Sequence, residues 1–201
     1  MKYLNWLLKS ILAGIFIGIG CIAFLSCENK IIGSLLFTVG LFVILTFKLN
    51  LFTGKLCYLL ENKNYSEVGI TLIGNFIGSF IISMFMRLSR LSLLLEKANN
   101  IVNIKLTDSL LSLFILAILC NILIYIAVEG FNKFKDIKGI LALFFGVSIF
   151  VLAGFEHCIA DMVYFNFTLT YSFNMLLRLC IIILGNIVGG IGIRYLITRS
   201  K

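Results

Sequence analysis

The sequence predicts an all-α membrane protein of six transmembrane helices, arranged as two inverted three-helix repeats with the second and fifth helices broken. Composition is the first observation behind this. Of the 201 residues, 61% are hydrophobic and 13% charged, and mean hydropathy is +1.10. A soluble domain runs about 45–50% apolar and about 25% charged. The second observation is length: a helix needs about 20 apolar residues to cross the hydrocarbon core, and the chain holds apolar runs for six such spans with short loops. The third is repetition. Each half interrupts its second span with polar residues and carries a Gly-Asn-x-x-Gly pattern in its third, Gly74-Asn75 with Gly78 and Gly185-Asn186 with Gly189. Discontinuous helices in matching positions of two halves mark transporters whose substrate site lies between the breaks. The chain is thus expected to be a single transmembrane domain over residues 1–201, with repeats over about 4–88 and about 105–197.

Span 1 is expected over about 4–25, with Gly14, Gly18 and Gly20 allowing close helix approach. Its start resembles a signal peptide but lacks a small-residue cleavage site, so it is read as a retained helix. Span 2 runs from about 31 to 47, is interrupted over 48–54, and resumes to about 60. Irregular backbone at membrane depth is tolerated where it is buried in protein or lines a watery cavity. Span 3 covers about 68–86, followed by a polar connection over 87–105 expected outside the lipid, with an interfacial turn at 91–95. Span 4 covers about 108–128 and span 5 about 137–153, breaking at Gly154-Phe-Glu-His157. Span 6 covers about 173–197. Gly74, Asn75, Gly185, Asn186 and Gly189 are read as helix-packing positions.

A net charge of +8 would suggest nucleic acid in a soluble protein. Here the basic residues flank apolar runs, where they set topology and meet lipid headgroups, so no nucleic-acid role is read. Lys2, Lys9, Lys63, Lys133, Lys135, Lys138, Arg194, Arg199 and Lys201 then fall on one side, and Lys30, Arg87, Arg90, Lys97 and Lys105 on the other. The bias places both termini in the cytoplasm. The six cysteines form no CxxC pair and read as buried free thiols.

His157 is the only histidine, flanked by Glu156 and followed by Asp161, inside an apolar region. Ionisable groups in a membrane segment mark functional sites by default. Glu-His-Cys-x-x-Asp lacks a second ligand cluster, so no metal and no cofactor are expected. Leu51-Phe-Thr-Gly54 is the matching break in the first half, and its Thr53 hydroxyl is placed opposite His157. The plainer alternative is that Thr53 and Gly54 only repair a broken helix.

Together, Leu51-Phe-Thr-Gly54, Cys120-Asn-Ile-Leu123, Gly154-Phe-Glu-His-Cys-Ile-Ala-Asp-Met162 and Leu184-Gly-Asn-Ile-Val-Gly-Gly190 resemble the formate/nitrite transporter family. The order and spacing agree from about residue 9 to 194. The resemblance implies an aquaporin-like fold, a homopentamer with one pore per protomer in the cytoplasmic membrane, and passage of formate, nitrite or hydrosulfide. It implies that His157 is the central pore histidine and Thr53 the facing threonine. Lys105 is implied near the vestibule, Asn121 beside it as a hydrogen-bonding group, and Glu156 in the same pore set. Phe37, Leu41 and Phe150 are the implied hydrophobic constrictions, with Phe52 in the loop. Phe37 and Leu41 lie one helical turn apart, as a constriction requires.

The chain departs from the family pattern in places. Asp161 stands where the family usually has Asn, Arg178 and Ile181 stand where Asn and Pro are usual, and Lys48 and Asn50 precede the Thr53 loop unusually. Asp161 and Arg178 are paired here as a compensating ion pair, and Lys48 is read as a partner of Lys105 in gathering anions. The chain also begins without the amphipathic helix common in the family. Two rivals remain. A water or neutral-solute channel carries paired Asn-Pro-Ala loops, which a chain without proline cannot have. A membrane enzyme would use Glu156, His157 and Asp161 for acid–base work, but one histidine without paired carboxylates argues against it.

Overall fold

The computed structural model describes residues 2–200; Met1 and Lys201, the latter counted in the topology argument, lie outside it. Among the described residues every regular element is helical. Four helices are long and apolar enough to cross a membrane: α1 (Lys2–Ser26), α5 (Tyr65–Arg87), α7 (Leu110–Lys133) and α10 (Phe173–Arg199). Between α1 and α5 lie α2 (Lys30–Thr46), α3 (Phe52–Leu56) and α4 (Leu59–Asn62). Between α7 and α10 lie α8 (Ile137–Leu152) and α9 (Cys158–Thr168). The polar connection after α5 has a 3-10 turn (Arg90–Leu94) close to the turn expected at 91–95, and continues as a thirteen-residue helix that was not expected, α6 (Leu95–Thr107).

Missing side chains allow the long helices to approach. A Cβ on Gly78 would sit 2.0 Å from the Ile11 carbonyl oxygen, and one on Gly189 would sit 2.3 Å from that of Ile118. Both distances are prohibitive, so α1 packs on α5 and α7 on α10 backbone to backbone. The short helices begin at side-chain caps: Asn29 accepts from Ile31 and Ile32, and Asp136 accepts from Lys138.

Both short helices end identically. At α2, the amides of Phe47, Lys48 and Leu49 donate to Val43, Leu45 and Ile44; at α8, those of Ala153, Gly154 and Phe155 donate to Ile149, Val151 and Phe150. This paired closure puts one residue in the left-handed region, Gly154 at φ +72° and Lys48 at φ +51°. The chain then extends for three residues, 49–51 and 155–157, before α3 and α9 begin. Asn75 of α5 and Asn186 of α10 hold these extended segments. Asn75 accepts from the Phe52 amide and donates to the carbonyls of Ser10 and Asn50. Asn186 accepts from the Cys158 amide and donates to those of Ala117 and Glu156. The register therefore pairs Lys48 with Gly154, Asn50 with Glu156 and Leu51 with His157. Gly74, Gly185 and Gly189 sit in close helix contacts as expected, but the two asparagines are clamps on the breaks rather than only packing residues.

A candidate pore site at the two helix breaks

His157 is buried and is the N-cap of α9. Its Nδ1 accepts from the Ala160 amide at 3.2 Å, and its Nε2 lies 3.0 Å from Thr53 Oγ1. A nitrogen that accepts an N–H carries a lone pair, so a neutral ring has its proton on Nε2. Nε2–H therefore donates to Thr53 Oγ1, and the threonine keeps its own hydroxyl hydrogen for another acceptor. A second ring proton on Nδ1 would displace the Ala160 amide. The ring stacks on Phe150 (centroids 5.6 Å apart), which meets Phe37 edge-on at 5.8 Å. Histidine, threonine and two phenylalanines thus meet at one place, between the helix breaks.

Cavities lie on both sides. One, of about 550 Å³, reaches Phe37, Phe150 and His157 and is lined farther out by Lys30, Lys97 and Asn100. The other, of about 210 Å³, reaches Leu41 and is lined by Lys48, Lys55 and Asn132. Phe37 and Leu41, one turn apart on α2, divide them. Phe52 lines neither; it is buried at the start of α3, where Asn75 holds its amide.

Lys105 occupies the buried face of α6. Its Nζ bonds Glu156 Oε2 and lies 2.8 Å from Asp161 Oδ1. Relative exposures of 7%, 4% and 1% for Lys105, Glu156 and Asp161 make this a buried triad rather than a surface contact. The partner of Asp161 is therefore Lys105, not Arg178. Arg178 donates to Asn174 and to the carbonyls of Lys105 and Asp108, tying α10 to the end of α6. Nor is Lys48 a partner of Lys105, because it lines the opposite cavity. Asn50 donates to the Trp6 carbonyl and stays in the scaffold. Asn121 makes its hydrogen bonds away from Lys105: it donates to the carbonyls of Thr53 and of Asn186, linking the start of α3 to the α10 residue that clamps the second break, and among the described residues its Oδ1 has no partner.

Sequence reasoning missed the cavity wall supplied by α6. Its cavity residues fall at 97, 100, 101, 104 and 105, the i, i+3, i+4, i+7, i+8 spacing of one helical face. That spacing was the available signal, hidden by the polarity of the segment.

Comparison with known proteins gives the family. The family model described as Formate/nitrite transporter matches residues 1–198, and the chain belongs to that family. It is 30% identical to a formate-nitrite transporter of Plasmodium knowlesi over 205 residues, covering 83% of this chain and 64% of that protein. It is 28% identical to an uncharacterized transporter of Bacillus subtilis, covering 86% and 73%. A third relative, the formate-nitrite transporter of Plasmodium malariae, is 30% identical and is covered over 46% of its length, so the chain spans about half to two thirds of the Plasmodium relatives. Among solved structures, a pentameric formate channel with formate bound superposes with TM-score 0.84 at 25% identity, covering 100% of this chain and 98% of that one. The chain is a multi-pass membrane protein of that family. The family model and these relatives are transporters and a channel, not enzymes, so the acid–base enzyme reading of Glu156, His157 and Asp161 has no counterpart among them.

Proposed function

We propose that the chain is a homopentameric channel of the cytoplasmic membrane for small monovalent anions, or their conjugate acids, of the formate, nitrite and hydrosulfide class. Each protomer has six spans in two inverted repeats, with both termini cytoplasmic. One observation carries the reading: a buried histidine, hydrogen-bonded to a threonine from the opposite break, stands where Phe37, Phe150 and Leu41 separate two cavities. The match to a pentameric formate channel supports both the assembly and the substrate class.

The geometry suggests the physical task of each part. Lys30 and Lys97 on one side, and Lys48 and Lys55 on the other, raise the local concentration of anions. Crossing between the rings strips water, and an isolated charge there is prohibitive unless it is paired, hydrogen-bonded or neutralised. His157 could act by giving up a proton or by hydrogen bonding alone. The Ala160 amide on Nδ1 favours hydrogen bonding: the neutral ring fixes Thr53 Oγ1, and the free hydroxyl hydrogen of Thr53 donates to the anion.

Stopped-flow swelling of proteoliposomes with formate, nitrite, acetate, lactate and hydrosulfide, each at two pH values, tests the reading. Fast flux of the smallest anions with slower lactate is expected, and His157→Asn should impair flux. Equal permeability to uncharged solutes such as urea, with no preference among the acids, would point to a neutral-solute channel and end the proposal.

A further inference from the structure

The triad beside the pore does not balance. One ammonium faces two carboxylates, all three nearly excluded from water. If all three are ionised, the cluster carries one net negative charge at membrane depth, among the most unfavourable arrangements available to a protein. Two carboxylate oxygens held on the same ammonium nitrogen stand within about 5 Å of each other, where like charges oppose joint ionisation. A second, independent observation points to the same imbalance. Asp161 Oδ2 is buried and has no hydrogen-bond partner among the described residues, although a carboxylate oxygen is a strong acceptor.

Among the described residues, none beside the triad is placed to supply the balancing charge. Facing Asp161 are the thiols of Cys21 on α1, Cys120 on α7 and Cys158 on α9, and the phenol of Tyr164. All four are neutral groups near neutral pH. Of the arginines on α5 and α10, Arg87 reaches the far end of α9 at the Phe167 carbonyl, Arg178 is engaged with backbone carbonyls, Arg194 is paired with Glu61 and Glu129, and Arg199 lies over the Tyr195 ring at the end of α10. His157, next to Glu156, is turned toward Thr53 and Ala160. Lys30 and Lys97 line the outer part of the cavity.

We propose that Glu156 and Asp161, together with Lys105, form a proton-binding site in the wall of the larger cavity. The two carboxyls hold one proton between them, which makes the triad neutral, and anions enter the constriction only in that state. Proton loss leaves one extra negative charge beside Phe150 and His157. At about 6 Å and the effective dielectric of a protein, such a charge lowers local anion occupancy on the order of a hundredfold. The ligand of the new site is the proton itself: binding converts a carboxylate to a carboxylic acid, and release returns the proton to cavity water. The gating half rests on the anion-channel reading above, whereas the proton site does not.

The test has two arms. Infrared spectra of the purified wild-type protein near neutral pH should show the C=O stretch of a buried protonated carboxyl, absent in Asp161→Asn and in Glu156→Gln. No such band in the wild type, or a band that persists in both variants, overturns the site. Formate uptake into proteoliposomes, measured from about pH 6 to about pH 9, reads the gate. Wild-type flux relative to Asp161→Asn should fall tenfold or more toward the alkaline end, because the variant keeps a balanced Lys105–Glu156 pair at every pH. A constant ratio overturns the gate even if the band is present. Absence of formate flux in every variant counts against the channel reading, while the infrared arm still decides the proton site.

Discussion

Thr53 and His157 are polar residues that complete each other in a greasy surrounding. Thr53→Val keeps the shape but removes the acceptor for Nε2–H, leaving a buried donor unsatisfied at about 1–3 kcal/mol. Formate flux should fall at least tenfold and the thermal midpoint should drop, whereas Thr53→Ser should restore most of both. Valine conducting like the wild type would show that the hydroxyl is not used. The constriction is tested by size. Leu41→Ala removes bulk next to the smaller cavity, so lactate flux should rise relative to formate in the swelling assay. At this scale the sequence was informative about His157 and Thr53, because a lone histidine and a broken span are conspicuous in an apolar chain, whereas Phe37 and Phe150 were singled out only by the family resemblance. It was uninformative about partners. Asp161 pairs with a lysine 56 positions earlier, on a helix that local polarity disguised, and no short-range pattern encodes that contact.

The two breaks differ in one residue that physics makes unequal. Gly154 adopts φ +72° at no steric penalty, whereas Lys48 holds φ +51° with a Cβ, a conformation costing an L-residue roughly 1–2 kcal/mol. Lys48→Gly should therefore raise the thermal midpoint while reducing anion supply from the smaller cavity. Gly154→Ala should lower stability by about 1 kcal/mol or more. Opposite signs in a thermal unfolding assay are the expected result. If Lys48→Gly also destabilises, the side chain of Lys48 contributes more than its backbone strain removes. The helix ends themselves were legible as interruptions over 48–54 and at 154–157. Their common hydrogen-bond closure was not, since lysine is a poor sequence signal for a left-handed cap. The α6 helix was hidden for a different reason: it lies beside the bundle with polar residues on its outer face, so it lacks the apolar signature of a span while still burying Ala98, Val102 and Lys105.

Across the whole molecule, the same scaffold carries different chemistry in its two halves. Asn75 and Asn186 make equivalent sets of three hydrogen bonds, yet the last two residues before α3 and α9 differ in kind: the register pairs Leu51 with His157 and Asn50 with Glu156. Stability should then follow the scaffold and transport should follow the chemistry. Asn75→Ala and Asn186→Ala each strand one buried amide and two buried carbonyls, a loss on the order of 3 kcal/mol, and should lower the thermal midpoint by similar amounts. Their effects on flux should differ. Asn186→Ala frees the segment carrying Glu156 and His157, and should lower flux and flatten the pH response of what remains. Asn75→Ala frees Asn50 and Phe52, which line neither cavity, and reaches the pore only through Thr53, so flux should fall while its pH profile keeps its shape. Thermal unfolding and pH-resolved formate uptake on both variants separate the two contributions. Equal loss of the pH response in both would mean that the breaks act as one coupled unit, joined through the Asn121 bonds to Thr53 and Asn186.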